Sequence, residues 1–379
     1  MRRLCLAARN LHRAFSTALE NPLNYNLNYN FSDNFIAKHQ KQLFRWNTSL
    51  LEAQDRRVQH GRKHRVNIDR CLSKLKATLD NQRRNVVPIG SSVNGLYGKS
   101  SDLDLVVITD NNDAQRNDFC KKFNHSEHFR RHQMGIITAA LRKANLIEVT
   151  SVQQILFSVV PILKFKTRDG ITVDVQFNNI GPIRSSLFVK ACVQFNIVVP
   201  VVVHWLNSFF AAVKLKNSRH GLFSTYHLNM LALHFLQSPA ISVLPDMVAS
   251  CPILHPSTPW QEVAYVLTAK DAKVQIIETD KIPCVVSPAE VIIKMIDYYS
   301  QLDLHIVSID TGGRIYRRLP ETTEDSYVQL IDPYFDEDTS SKLRCNVRNG
   351  PSLVQQAFIA LRSELKAGNV PRIFRIGKT

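Results

Sequence analysis

The sequence predicts an α+β fold, with a mixed sheet covered by helices and followed by a mainly helical domain. Two patterns predict the sheet. Asp102 and Asp104 open the apolar run 105–108, which has the composition of a buried strand. Residues 162–167 and 171–177 form two further strand patterns, joined by an Asp-Gly turn signal at Asp169. Between about 187 and 310 the pattern is mainly helical.

The Asp-x-Asp pair is the first candidate for chemistry. In a strand, side chains at i and i+2 point to the same side, so Asp102 and Asp104 should lie together. Two adjacent carboxylates repel each other and favour a hard, oxygen-seeking cation such as Mg²⁺. Upstream, Gly90 and Ser91 can bring backbone N–H groups close to a triphosphate. Alternatively, such a pair is simply a solvated strand end.

A third carboxylate is predicted beside the pair. In the second strand of the hairpin, Val173, Val175 and Phe177 share one face, so Asp174 lies on the other. Three acids can hold two metal ions about 3.5 to 4 Å apart, the arrangement that activates a hydroxyl and stabilises a leaving oxygen. A hairpin without this function would also tolerate Asp174.

These segments resemble the DNA polymerase β-like nucleotidyltransferases and, among them, the poly(A) and poly(U) polymerases that extend RNA 3′ ends. The resemblance covers about residues 65 to 345, with the motifs in the family's order. The segments that carry it are 90–104, 173–179, 221–228, 287–299 and 330–336. The resemblance implies a polymerase β-like catalytic domain and a helical central domain with a polymerase-associated segment.

The resemblance also assigns roles to individual residues. It implies that Asp102, Asp104 and Asp174 bind Mg²⁺ or Mn²⁺ and that the backbone at Gly90 and Ser91 contacts phosphate. Ser185 and Ser186 stand where the family has Asn-Thr, and their hydroxyls would contact the ribose. Thr225 would contact phosphate, and Tyr226 would stack on the base.

The chain departs from the family where two basic residues would bind the triphosphate, because Asn207 and Ala211 occupy those positions. Lys214 follows three residues after Ala211. It also lies seven residues after Asn207 and hence on the same helical face, and we expect it to reach back one turn to the missing position. If Lys214 and Lys216 are instead solvated surface charges, this chain is a slow or catalytically silent member.

The first residues have the composition of a mitochondrial presequence. Residues 1–19 contain four arginines and no Asp or Glu, with apolar residues at helical spacing. Residues 13–16 also resemble the site at which the matrix peptidase cuts. The alternative is a surface helix.

Charge and cysteine content agree with a matrix enzyme acting on RNA. The formal net charge is +16, which suits a polyanionic partner. The basic runs 56–57, 62–65 and 83–84 are a candidate surface for RNA approach. Seven cysteines without a Cys-x-x-Cys pair, and histidines without zinc-ligand spacing, predict neither a disulfide framework nor structural zinc.

The predicted organisation follows the motifs. Residues 33–60 form a helix packing on the central domain, 130–145 a covering helix, 146–152 a strand, and 197–203 part of a buried helix, too short to span a bilayer. Residues 24–30 are a linker and 366–379 a basic tail. The predicted segments are 1–22 (presequence), 23–65 (linker and N-terminal helix), 66–180 (catalytic domain), 181–345 (helical central and polymerase-associated domain) and 346–379 (C-terminal helix and tail).

The function implied is template-independent addition of nucleotides to RNA 3′ ends in mitochondria, with AMP added from ATP. Relatives that favour UTP often carry a His near the Asp-Pro-Phe segment, whereas this chain has none after His305 and carries Thr322 and Thr323 in that region. A terminal uridylyltransferase and a catalytically weak RNA-binding or scaffold subunit are the alternatives. No membrane partner is expected, and a homodimer is left open.

Overall fold

The computed structural model describes most of the chain in segments. The described residues are 22–80, 84–99, 101–109, 112–239, 241–269, 272–276, 287–318, 327–334, 344–345 and 347–375. Residues 1–21 of the predicted presequence, including its cleavage motif, and the base-selection region at Thr322 and Thr323 lie outside these residues.

The helices and strands run as follows along the chain. The helices are α1 (Asn30–Lys38), α2 (Gln40–Leu79), α3 (Ser91–Asn94), α4 (Asp113–His125), α5 (Glu127–Lys143), α6 (Gly181–Phe195), α7 (Val198–Ala212), α8 (Thr225–Gln237), α9 (Met247–Ser250), α10 (Trp260–Thr268), α11 (Pro288–Gln301), α12 (Gly350–Lys366) and α13 (Val370–Arg375). The strands are β1 (Arg84–Ile89), β2 (Leu103–Thr109), β3 (Gln153–Ile155), β4 (Ile162–Lys166), β5 (Thr172–Phe177), β6 (Val307–Asp310), β7 (Ile315–Arg317), β8 (Val328–Ile331) and β9 (Arg344–Cys345).

One compact unit, called here the sheet unit, contains residues 55–195 and 251–276. Its five strands lie in the order β1-β2-β5-β4-β3, with β2 and β5 parallel and the other pairs antiparallel. This is the mixed sheet that the sequence predicts. The core lies under the sheet and includes Leu103, Leu105, Val173 and Val175, packed with side chains of α2 and α5.

The sheet unit extends beyond the predicted 66–180 range at both ends and also takes in a later segment. Helix α10 packs on α6. Trp260, Val263 and Leu267 of α10 are buried. The ammonium of Lys190 on α6 donates to the carbonyl oxygens of Val266 and Leu267, at 3.0 and 2.9 Å. In the sequence, α10 lies between helices of the other unit. Its apolar pattern alone therefore did not show that it belongs to the sheet unit.

The strand predicted at 146–152 is wrong. Ile147 forms only an isolated bridge with Thr167, and Val149–Ser151 form a 3₁₀ turn. The Ser151 hydroxyl donates to the carbonyl of Glu148 at 2.6 Å, a local bond that competes with strand pairing. The strand that pairs with β4 is β3, which begins at Gln153, two residues after the 3₁₀ turn ends. By contrast, the covering helix is confirmed as α5, and the Asp-Gly hairpin is confirmed as β4 and β5.

The other compact unit, called here the helical unit, contains the described residues of 1–54, 196–250 and 277–379. Its helices surround an apolar core, and a four-stranded sheet has the order β7-β6-β8-β9. The predicted buried helix is confirmed as α7. Pro200 lies in its first turn, where the missing N–H breaks no helical bond.

Two terminal segments are more ordered than their composition predicts. In the predicted linker, the N–H of Leu23 donates to the carbonyl of Ile315 at 2.7 Å, and Asn28 exchanges hydrogen bonds with Gln301. In the predicted basic tail, α13 buries Ile373 and Phe374. Both expectations came from polar composition, which does not reveal the few residues that bond or pack.

The predicted N-terminal helix forms as α1 and α2, but α2 runs on to Leu79, and only its part up to residue 54 belongs with α1 to the helical unit. Phe35, Leu43 and Leu50 are buried, but Phe44 is 76% exposed although its position fits the apolar pattern.

Among the described residues, no single helix is long and apolar enough to cross a membrane, although the consecutive helices 181–195 and 198–212 pass that test when joined.

Candidate active site

The sheet places the three predicted acids side by side. Asp104 on β2 is directly paired with Asp174 on the parallel strand β5, and Asp102 comes just before β2. The alternating neighbours on these strands are fully buried, so the two paired acids point to the opposite face. The side chain of Asp102 is 50% exposed and that of Asp174 is 22% exposed.

The carboxyl of Asp104 has a raised pKa. Burial, the largest cause, and the negative charges of Asp174 and Asp102 together raise this pKa to about 7, against the opposing effect of Lys164. Such perturbed carboxyls cluster at functional sites, because catalysis uses groups held in unusual environments.

Gly90 lies directly against Asp104. Its φ is +66° and its ψ is −148°, a conformation open essentially only to glycine. A Cβ atom at this position would lie 2.9 Å from Oδ2 of Asp104, closer than real Cβ contacts allow. Glycine is therefore required here both by the backbone and by the carboxylate beside it.

Ser186 holds this glycine in place. Its hydroxyl accepts a hydrogen bond from the N–H of Gly90 at 2.8 Å and donates to the carbonyl of Pro182 at 2.6 Å. The Gly90 N–H assigned to phosphate is thus engaged, and Ser186, assigned to ribose, braces the turn. Ser185 is also buried and bonds the Pro182 carbonyl, while Ser91 is half-buried at the start of α3.

A basic residue that the sequence analysis did not select lies among the acids. Lys164 on β4 is directly opposite Asp174 in the antiparallel β4–β5 pair. Its Nζ is 2.7 Å from Oδ1 of Asp174 and 3.9 Å from Oδ2 of Asp102. The register across the Asp-Gly turn was the signal that could have found it, since positions counted outward from the turn pair Lys164 with Asp174.

The three carboxylates fit a divalent cation chemically. They are hard oxygen donors on adjacent strands, and an ammonium cation already lies between two of them. As the side chains stand, no three His, Cys, Asp or Glu residues in the described segments converge closely enough to hold a metal ion. The ammonium of Lys164 bonds Oδ1 of Asp174 at 2.7 Å.

The Phe-Asn-Asn segment after β5 has a structural role. Asn178 has a φ of +51°, and its side chain accepts from the N–H of Thr109 at 2.7 Å and donates to that residue's hydroxyl at 2.6 Å. These bonds join the ends of the two strands that carry Asp104 and Asp174. The motif therefore fixes the acids' alignment.

Helix α2 braces the loop that follows Gly90. The guanidinium of Arg65 donates to the carbonyl of Ser92 and lies 6.0 Å from the ring centroid of Tyr97. The ring of His64 stacks on Tyr97 at 5.5 Å, and its Nε2 is 3.1 Å from the carbonyl of Ser101. Part of the predicted RNA surface is thus turned inward, whereas Arg62 and Lys63 are exposed.

The remaining predicted site residues belong to the helical unit. Thr225 is exposed at the first position of α8, after the N-cap Ser224. The phenol of Tyr226 bonds the carboxyl of Asp332, which is 3% exposed. Burial raises the pKa of Asp332 to about 7. Asp332 lies in the 330–336 segment, for which the sequence predicts no residue role, and its bond to the phenol orients Tyr226.

The geometric premise for Lys214 is wrong. Helix α7 ends at Ala212, and Lys214 has a φ of +61°, so it does not continue the helical face of Asn207 and Ala211. The N–H groups of residues 214–216 bond back to carbonyls of the last turn and close the helix. Asn207 is buried, and its amide donates to Asn229 and to the Val203 carbonyl, both at 2.9 Å.

Residues 47–194 match the family model described as "Poly(A) RNA polymerase, mitochondrial-like, central palm domain". This range contains the three acids, Gly90 and the brace from α2. The match covers less than half of the chain and shows a likeness to that palm domain. The chain is also similar to Poly(A) RNA polymerase gld-2 of Caenorhabditis elegans, with 26% identity over 236 residues.

That alignment covers 60% of this chain and 20% of the worm protein. The chain thus spans about a fifth of that relative's length. Its fold is also similar to the solved GLD-2/RNP-8 complex, with a TM-score of 0.64 at 17% identity, covering 89% of this chain and 98% of the other. The mtPAP structure in complex with UTP gives a TM-score of 0.56 at 16% identity, covering 80% of this chain and 66% of that one.

Proposed function

We propose that this chain is a template-independent RNA 3′-terminal nucleotidyltransferase that adds AMP from ATP, working as a poly(A) polymerase in mitochondria. The observation that carries the proposal is the pairing of Asp104 with Asp174 beside Gly90, where an added Cβ would lie 2.9 Å from Oδ2 of Asp104. A strand pair with no site would need neither the clustered acids nor the close approach of Gly90.

The three acids would hold the metal. Mg²⁺ or Mn²⁺, when bound, would supply Lewis-acid stabilisation of phosphate oxygens and lower the pKa of a bound hydroxyl. The protein holds Asp104 and Asp174 in register through the Asn178 bonds to Thr109. Ser186 and Arg65 hold the Gly90–Ser92 turn against Asp104, so that its backbone keeps a fixed distance from the acids.

Roles toward the nucleotide are proposed for individual residues. Thr225 offers a hydroxyl to phosphate, and the ring of Tyr226, oriented by Asp332, offers a stacking face to the base. Lys214 keeps its proposed role as a phosphate contact, now from the closing turn after α7. Ser91 and Ser185 are proposed on the phosphate and ribose sides.

The choice of ATP rests on the sequence and on the relatives' names. The matched family model and the worm relative are both described as poly(A) RNA polymerases. A solved mtPAP structure holds UTP, so that fold accommodates a pyrimidine nucleotide. Incubating the chain with labelled RNA and each NTP separately tests the base: the proposal expects ATP to be used fastest, and faster extension with UTP would make the chain a uridylyltransferase.

One observation favours the weak, RNA-binding alternative. Asn207 is buried and bonded to Asn229, so it carries no charge to a triphosphate. This alternative is distinguished by the same extension assay, because it expects RNA binding without extension by any NTP. Partner proteins remain a separate proposal, motivated by the solved complex of GLD-2 with RNP-8.

RNA is proposed to approach the exposed basic residues of α2. Reversing Arg62 and Lys63 to Glu should weaken RNA binding and make it less sensitive to salt, because fewer phosphates are neutralised. Unchanged RNA affinity and salt dependence would remove this surface from the proposal.

Mitochondrial location is proposed from residues 1–19, which contain four arginines and no acid. The family model's description as mitochondrial-like supports it, whereas the name of the worm relative does not mention mitochondria. Fusing the first 30 residues to a fluorescent reporter tests it. Mitochondrial fluorescence is expected, and a cytosolic reporter would refute the location without touching the proposed chemistry.

A further inference from the structure

The contact between Lys164 and the acids has no part in the roles assigned so far. Its ammonium is 2.7 Å from Asp174 and 3.9 Å from Asp102, and its side chain is only 19% exposed. Two half-buried carboxylates and a nearly buried ammonium form one compact charge cluster. In this environment the interaction is stronger than that of a surface ion pair.

The position of Lys164 is fixed by the backbone. Directly opposed residues of an antiparallel pair have Cβ atoms about 4.5 to 5.5 Å apart, so Lys164 cannot move away from Asp174 along the strand. Lys166 lies two residues farther on the same face of β4, but it is opposite Thr172 and its ammonium is 3.9 Å from Glu148. Lys166 therefore provides a matched control on the same strand.

A divalent cation and the ammonium compete for the same oxygens. Mg²⁺ binds carboxylate oxygens at about 2.0 to 2.1 Å in a demanding octahedron. The Lys164 ammonium already bonds Oδ1 of Asp174, and a metal ion bound to the same carboxylate would repel this ammonium. Because of this repulsion, we expect a metal held by the three carboxylates to displace Lys164 from Asp174.

We propose that Lys164 is a built-in counter-ion of the acid cluster, which holds Asp174 in the free chain and is displaced when a divalent cation binds. Lys164 is thus a positioning residue that offsets the repulsion between the acids in the free chain and sets their affinity for the metal. The inference rests on the proposed function only in that the acids are taken as the metal ligands.

The test measures Mn²⁺ binding to the full chain without nucleotide or RNA, from the loss of the free-ion signal in electron paramagnetic resonance. Lys164→Met should lower the dissociation constant about tenfold, the effect of removing one close positive charge. Lys164→Arg, which keeps the charge, and Lys166→Met should stay within about twofold of wild type. Thermal unfolding of each variant shows that it is folded.

Unchanged or weaker Mn²⁺ binding in folded Lys164→Met would overturn the inference. So would an equal gain in Lys166→Met, because a general change in charge would then explain the effect. If Asp174→Asn bound Mn²⁺ as tightly as wild type, the acids would not be the ligands and the inference would fail. Absence of RNA extension, with the expected binding pattern intact, would overturn only the proposed function.

Discussion

Replacing Gly90 with alanine should inactivate the site much more than it destabilises the fold. The added Cβ would lie 2.9 Å from Oδ2 of Asp104, whereas ordinary contacts begin near 3.4 Å, so the carboxylate must move by about 0.5 Å. The backbone conformation itself adds strain of about 1 to 3 kcal/mol. Because a misplacement of about 1 Å can reduce a rate a hundredfold, we expect extension to slow by about tenfold to a hundredfold.

Gly170→Ala separates backbone strain from the clash. Gly170 also has a positive φ, +82°, but a Cβ there meets no atom within 4 Å. It should cost about 1 kcal/mol of stability and leave the extension rate near wild type at a temperature at which both variants are folded. Initial extension rates and thermal unfolding of both variants are the measurements. Equal loss of rate in the two variants, or a fully active Gly90→Ala, would refute the reasoning.

Three further results are expected. Asp297 is fully buried and 3.1 Å from Nε of Arg362, so Asp297→Asn should lower the free energy of unfolding by about 3 to 5 kcal/mol in denaturant titrations. As a comparison, Lys294→Ala breaks the exposed pair with Asp33 and should lower it by under about 1 kcal/mol. The pKa of Asp332 is raised to about 7, so the folded state holds a proton that the unfolded state releases above about pH 4. The contribution of this group to the free energy of unfolding therefore falls as pH rises from about 4 to 7. Asp332→Asn should flatten that fall, and an unchanged dependence of stability on pH would contradict the burial argument. Arg65→Ala should raise the KM for the nucleotide severalfold by loosening the Ser92 turn, whereas Arg62→Ala, at an exposed position of the same helix, should not.

The sheet was predictable because its patterns are local. The run after Asp102 and the Asp-Gly turn each fix a strand within a few residues, and strand alternation places Asp104 and Asp174 on one face. The contacts that complete the site are not local. Ser186 reaches Gly90 across 96 positions, and Tyr226 reaches Asp332 across 106, so no spacing in the sequence reveals either bond.

The errors also have physical causes. Lys214 was placed on a helical face because no Gly or Pro marks the end of α7, but the helix closes with Lys214 itself in the left-handed region. Helix α10 could not be assigned to the sheet unit, since an amphipathic pattern shows that a face is buried and not what covers it.

The rate of RNA extension by Asp174→Asn tests the account most directly. Asp169→Asn is the matched control, because Asp169 is an exposed acid in the same hairpin, paired only with Lys74 among the bonds described. With folding checked by thermal unfolding, we expect wild type and Asp169→Asn to extend labelled RNA with ATP and Asp174→Asn to be slower by at least about a hundredfold. Extension by Asp174→Asn at the rate of the control would contradict the claim that these three acids are the reaction centre.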